Sequence, residues 1–240
     1  MQRALDWHGS RNVRDLGGLP TPLSSNGTTI PGRLARGARH EALTTQGWQD
    51  AETWGLRSIV DLRTPAEVGR RDHDPDAAVP ASLTITLAPT EDHAIPEFRD
   101  ACFPILDSPE YWAHNVRILP DHVRGALNAI AGAEPGILFH CSAGRDRTGM
   151  ITVLLLANAG VPIDAIADDF AIGVRTMAGV GFYGAPTQDR QAAWTDAETD
   201  EFLAEATPYV EAFAHDAASV FDAVGLGDDA RARLRELLTA

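Results

Sequence analysis

Cysteine is scarce in this sequence: 240 residues contain only Cys102 and Cys141. Two are too few for a disulfide framework in a chain this long, and a pair of free thiols in a reducing compartment is the simpler reading. Positive charge is also in short supply. Basic side chains number 20 against 34 acidic ones, and the net charge is −14. A surface of that sign repels nucleic acid and anionic lipid, so neither is expected as a partner. Long apolar runs are missing. The longest, residues 150–161, includes Asn158 and Gly160 and falls short of the ~20 residues that span a bilayer, so no integral membrane association is expected. Residues 1–15 carry Arg3, Asp6, His8, Arg11, Arg14 and Asp15 and no apolar core, unlike a secretory signal. A cytoplasmic location is expected. No His, Cys and Asp cluster has metal-ligand spacing, and neither a metal nor another cofactor is expected. Internal repeats and low-complexity tracts are absent.

What is present reads as one domain over residues 1–240. The segment before about Gly32 is dense in Gly, Pro, Ser and Asn and predicts turns and short extended pieces. Thr44 and Thr45 open a short helix that Gly55 ends. Residues 57–62 form a compact apolar run of buried-strand type, and 83–87 alternates in the manner of a strand with one buried face. Short helices are expected in an insertion near 90–120, then a helix over 121–131 with Val123, Ala126, Leu127 and Ile130 on one side. Residues 136–141 give the clearest buried strand, followed by a short loop and an almost wholly apolar helix over 148–159. Pro162 and Ile163 start another helix, 178–184 reads as a mobile loop, and the tail from about 208 as two helices split by Gly225 and Gly227. The segments near 90–120 and 171–200 are expected to act as lids. Alternating strands and helices predict an α/β fold with a central, mostly parallel sheet flanked by helices.

The chemistry concentrates in residues 140–149: His140, Cys141, Ser142, Ala143, Gly144, Arg145, Asp146, Arg147, Thr148 and Gly149. A cysteine ends a buried strand, and six residues later an arginine stands at a helix start. Gly144 lets backbone approach a ligand closely, and such a loop can turn several N–H groups inward as an anion-binding nest at a positive helix end. That field favours thiolate over thiol at Cys141. Arg147 can grip two phosphate oxygens and take up charge in the transition state. Thr148 can hydrogen-bond the sulfur as it leaves. Phosphoryl transfer needs positioning and charge neutralisation, and these ten residues supply both.

His-Cys, five residues, then Arg-Thr-Gly resembles the phosphate-binding loop of the protein tyrosine phosphatase superfamily. Gly144-Arg145-Asp146-Arg147 looks like the atypical bacterial tyrosine and lipid phosphatases, whose loop usually reads Gly-Lys-Asp-Arg. Asn12-Val13-Arg14-Asp15-Leu16-Gly17-Gly18 and Ile59-Val60-Asp61-Leu62-Arg63 resemble two further motifs of that group, in the same order. The resemblance implies a phosphotyrosine-phosphatase-like fold and a cysteine-dependent phosphatase acting through a cysteinyl-phosphate. Protein phosphotyrosine ranks first as substrate, with dual-specificity, phosphoinositide or small phosphoester substrates behind it. Arg145 stands where the group usually has Lys, which keeps the charge and changes its geometry; related lipid phosphatases use that Lys for inositol phosphates.

Cys141, Arg147, Asp146 and Asp61 are therefore the candidate catalytic residues. Ser142, Ala143, Gly144, Arg145, Thr148 and Gly149 form the phosphate-binding set, and Arg36 and Arg63, with Arg145, an outer rim. The general acid is Asp146 or Asp61, with Asp146 ahead; Asp61 can instead orient an arginine by a salt bridge. His140 is read as a loop support, Asp15 as a turn cap or a partner of Arg14, and Cys102 as a core or surface thiol. Two rivals stay open. One is a non-catalytic phosphate-binding module, the other a sulfur-transfer or arsenate-reducing enzyme.

Overall fold

In the computed structural model, which describes residues 3–181 and 190–240, the site rests on the meeting of three short strands. In chain order the strands are β1 (Arg14–Asp15), β2 (Leu34–Gly37), β3 (Ser58–Asp61), β4 (Thr84–Leu87) and β5 (Ile137–His140). They form one sheet in the order β1-β2-β5-β3-β4, parallel except for β1. β5 lies in the middle, with Gly37 and Asp61 both in register with His140. The carboxyl ends of β2, β3 and β5 thus finish at one level, where α/β sheets place their sites.

Helix α1 (Thr45–Trp54) packs on one face of the sheet. Side-chain alternation along the strands divides the core. Ile59 and Leu138 join Trp48 and Ala51 under α1, whereas Val60, Ile137 and Phe139 join the larger cluster on the other face. The helices α2 (Pro96–Cys102), α3 (Tyr111–Ile118), α4 (Pro120–Gly132), α5 (Asp146–Asn158), α6 (Ile163–Met177), α7 (Asp196–His215), α8 (Ala217–Ala223) and α9 (Asp228–Thr239) complete the described elements of this length. Every residue of α5 from Arg147 to Leu156 is buried. Thr44 caps α1 by accepting from the Gly47 N–H, and Gly55 ends it in the left-handed conformation.

Three expectations are corrected. β4 has no buried face: it is the sheet edge, and all four of its side chains are exposed. Its alternation reflects residue type without a helix to cover it. The tail does not begin a helix at Pro208, which lies inside α7. Thr195 starts that helix through a reciprocal cap with Glu198, and the start signal outweighs one proline. The helix after the loop begins at Asp146, two residues ahead of Thr148. The loop expected at 178–184 lies outside the described residues from 182 onward. Among the described residues, no helix is long and apolar enough to cross a membrane.

Candidate active site

The chain leaves β5 at Cys141, which is 2% exposed, and enters α5 at Asp146. Gly144 makes the turn possible, with φ +69° and a Cβ position that would fall 2.4 Å from the backbone of Gly37. Each carbonyl from Cys141 to Gly144 is held from outside. His140 Nδ1 donates to Cys141 O at 2.9 Å, and the Arg39 N–H to Ser142 O at 3.1 Å. Asn12 Nδ2 donates to Ala143 O and Gly144 O at 3.1 and 3.0 Å, and Arg36 Nη2 to Gly144 O at 2.6 Å. A trans peptide carries its N–H opposite its C=O. The N–H groups of Ser142, Ala143, Gly144 and Arg145 therefore point away from these partners, into the hollow of the loop. This is an anion nest completed by the N-terminus of α5.

Because a carbonyl accepts, His140 Nδ1 carries the proton and its Nε2 accepts from His40 Nδ1 at 2.9 Å. Burial lowers His140 to about 4, against the pull of Asp61, so the ring is neutral. His40, Asp61 and His140 place potential metal-ligand atoms within 4.8 Å of one another. His40 Nδ1 and both ring nitrogens of His140 are engaged, with each other and with Cys141 O, and Asp61 is engaged by Arg63, so the trio supports the loop.

Arg147 is 8% exposed and is gripped end-on by Glu67, Nη1 donating to Oε2 at 2.6 Å and Nη2 to Oε1 at 2.7 Å. Glu91 lies 3.6 Å from Nη1. The Nε edge of the fork is not taken by either carboxylate. Glu67 is itself fixed, since Oε2 accepts from the Thr64 N–H at 3.0 Å and the Thr64 hydroxyl at 2.9 Å, and Ser142 Oγ donates to Oε1 at 3.2 Å. Burial pushes the Glu67 carboxyl up, but the Arg147 hydrogen bonds and charge outweigh it and hold the group down to about 2.

The two candidate acids differ. Asp146 heads α5 beside the hollow, accepts from Arg145 Nε at 2.9 Å and keeps about a quarter of its side chain exposed. Burial raises it above the ordinary carboxylate range, against Arg145 and Arg147. Asp61 is 1% exposed and fully engaged by Arg63, with Nη2 at 2.6 Å and Nε at 2.9 Å. Burial would raise it, but the bonds from Arg63 and the nearness of His140 leave it below its usual value.

The rim residues lie elsewhere than expected. Arg36 and Arg63 are 1% and 0% exposed, beneath the loop, because each is drawn inward by a buried carboxylate: Asp169 for Arg36, and Asp61 with Glu41 for Arg63. Arg145, 4% exposed, is occupied by Asp146, Gln191 and Asp107 O and lies 5.6 and 5.7 Å from the ring centroids of Trp194 and Phe202. Described parts of both expected lid segments thus touch the loop through it. Thr148 is fully buried with no partner for Oγ1. Gly149 lets Trp112 pack against α5, a Cβ there falling 3.2 Å from the indole. Cys102 is buried in α2, and burial with Glu91 nearby pushes its thiol up to about 11. Asp15 caps the Gly17 and Gly32 N–H groups at 2.7 Å and does not pair with Arg14.

A family model described as "Tyrosine phosphatase family" matches residues 5–240. The chain belongs to the tyrosine phosphatase family. The triple specificity protein phosphatase PtpB of Mycobacterium tuberculosis is 28% identical over 190 residues, 68% of this chain and 66% of PtpB. A Cupriavidus necator protein named as a tyrosine-protein phosphatase is 32% identical over 173 residues, 66% of this chain and 59% of the relative. The match spans less than two thirds of either relative. Among solved structures, Pseudomonas aeruginosa TpbA with pTyr is 16% identical, covers 72% of this chain and 85% of its own, and superposes with a TM-score of 0.35.

Sequence reasoning missed several side chains of this tyrosine phosphatase family member, His40 and Glu41 among them. Glu67 had a signal in Thr64-Pro65-Ala66-Glu67, a helix-start pattern whose glutamate turns back on its own threonine. Asp169 had one too, a carboxylate among the buried Ile166, Phe170, Gly173 and Val174 of α6. Glu91, bonded by the Tyr111 hydroxyl at 3.1 Å, had none. Asn12 was read as part of a motif but given no task. Its φ of +55°, tolerated by Asn, aims the side chain at the loop.

Proposed function

We propose that this protein is a cysteine-dependent phosphatase that hydrolyses phosphate monoesters through a cysteinyl-phosphate. The observation that carries the reading is the loop at 141–147. Four successive carbonyls are tied back, so the opposed N–H groups turn to the side of the loop that lies between Cys141 and Arg147. In the first step the Cys141 thiolate attacks phosphorus, the P–O ester bond breaks, and Asp146 passes its proton to the leaving oxygen. In the second, water attacks phosphorus, Asp146 takes the water's proton, and the P–S bond breaks to return the thiolate and release orthophosphate. Loop N–H groups and Arg147 hold the phosphoryl oxygens throughout.

Protein phosphotyrosine is the first substrate class, ahead of small phosphoesters. Cys141 is 2% exposed, and a sulfur so covered is reached more readily by a long aryl phosphate than by a short alkyl one. Asp146 rather than Asp61 is assigned the proton because burial raises its pKa and so keeps it protonated further up the pH scale, whereas Asp61 is lowered by its bonds from Arg63. The test is hydrolysis of an aryl phosphate in excess chelator, wild type against Cys141→Ser and Asp146→Asn. Cys141→Ser is expected to be inactive, and Asp146→Asn to keep a slow activity that lacks the fall in rate wild type shows as pH rises. Well-folded wild type that hydrolyses no phosphate ester removes the proposal.

A further inference from the structure

Arg14 and Arg36 face each other directly across β1 and β2, a like-charge pairing that costs stability on a sheet. They are 3% and 1% exposed, and Arg3 joins them. One carboxylate answers all three. Asp169, fully buried, accepts from Arg3, from Arg14 Nε and Nη2 at 2.9 and 2.8 Å, and from Arg36 Nη1 at 2.9 Å. Three guanidinium groups on one carboxylate leave a surplus of positive charge in the interior, where unbalanced charge is expensive. Arg36 Nε is also buried with no hydrogen-bond partner. Gly173 on α6 makes room for the crowd, since a Cβ there would lie 3.1 Å from Arg14 and 3.5 Å from Arg36.

The surplus faces the back of the phosphate loop. Arg36 Nη2 donates to Gly144 O at 2.6 Å, and Arg14 Nη1 donates at 2.6 Å to Asn12 Oδ1, whose amide holds the Ala143 and Gly144 carbonyls. Burial and the neighbouring Arg14 lower Arg36 to about 9, while Asp169 and Cys141 pull it back up, so it is a cation at neutral pH. Resting on the phosphatase reading, we propose that Arg36 is a positioning residue: from beneath the loop it fixes the Gly144 peptide and presents a buried positive charge whose counter-ions are the Cys141 thiolate and the bound phosphoryl group. The ion that balances the cluster is then supplied by the reaction itself.

Two variants separate the parts of this role. Arg36→Gln keeps a donor and removes the charge; Arg36→Lys keeps the charge and removes the fork. Alkylation of Cys141 by iodoacetamide at one fixed pH, the melting temperature and the kinetics on an aryl phosphate are measured for each. Arg36→Gln is expected to slow alkylation and kcat on the order of tenfold. Arg36→Lys is expected to restore most of the alkylation rate while KM stays raised, because the Gly144 peptide is no longer gripped in two places. Alkylation at the wild-type rate in a folded Arg36→Gln protein overturns the proposal, as does a Lys variant that alkylates as slowly as the Gln variant. If Arg36→Gln does not fold, a folded Lys variant with wild-type alkylation and raised KM supports the proposal, and one with slow alkylation or unchanged KM overturns it. A wild type without phosphatase activity removes only the reading it rests on, since the alkylation comparison still decides whether Arg36 acts on Cys141.

Discussion

At the scale of single residues, the site is decided by which carboxylate each arginine is given. Arg147 receives Glu67 end-on, and its free edge is aimed by that grip. Glu67→Gln is expected to lower kcat/KM by about tenfold to a hundredfold, the usual result of misplacing a group that must meet the transition state. Steady-state kinetics on an aryl phosphate check this, and unchanged constants show that Arg147 is held without Glu67. Asp61 serves Arg63 in the same way but far from solvent. Asp61→Asn leaves the buried Arg63 guanidinium with Glu41 as its remaining charged partner, so a stability loss of about 1–3 kcal/mol is expected in urea unfolding. A stable variant that instead loses the fall in activity at high pH returns the proton to Asp61.

At the scale of elements, β5, the loop and α5 are a unit that one stretch of sequence encodes. A four-residue buried strand, a glycine and a helix start lie within a few residues of one another, so their order and roles were legible together. What holds the unit was not, because the partners come from afar: Glu67 is 80 residues from Arg147, Arg36 is 108 from Gly144, and Asn12 is 131 from Ala143. The sequence alone gives no distance between such groups, and an arginine in a motif reads equally as rim or as buried strut. The sheet edge misled for a related reason, since alternation in β4 cannot say whether a helix arrives to cover it. Gly144→Ala tests the unit. Its Cβ would meet the Gly37 backbone at 2.4 Å with φ at +69°, so a loss of about 1–3 kcal/mol and of phosphatase activity is expected. Wild-type activity and melting temperature show that the loop can shift to make room.

At the scale of the molecule, the neutral histidine pair behind the loop ties folding to pH. His140 is lowered to about 4 and His40 is lowered as well, in both cases chiefly by burial. Between about 6.5 and 4 the unfolded chain binds protons that the native chain refuses, so stability rises with pH there and is lost as pH falls. For His140 the full loss is about 3 kcal/mol. It begins well above the range where Glu67, held at about 2, takes a proton. Urea midpoints at neutral and mildly acidic pH measure it, and equal midpoints exclude the neutral pair.

The other thiol has a practical consequence. Cys102 is sealed in the core and pushed up to about 11, and the chain has no third cysteine. A thiol-directed electrophile offered to the native protein at neutral pH therefore has one thiol to meet, Cys141. Label beyond one mole per mole of chain then reports the opening of the core around Cys102, so the unfolded fraction of every preparation and every variant can be read before a rate is compared.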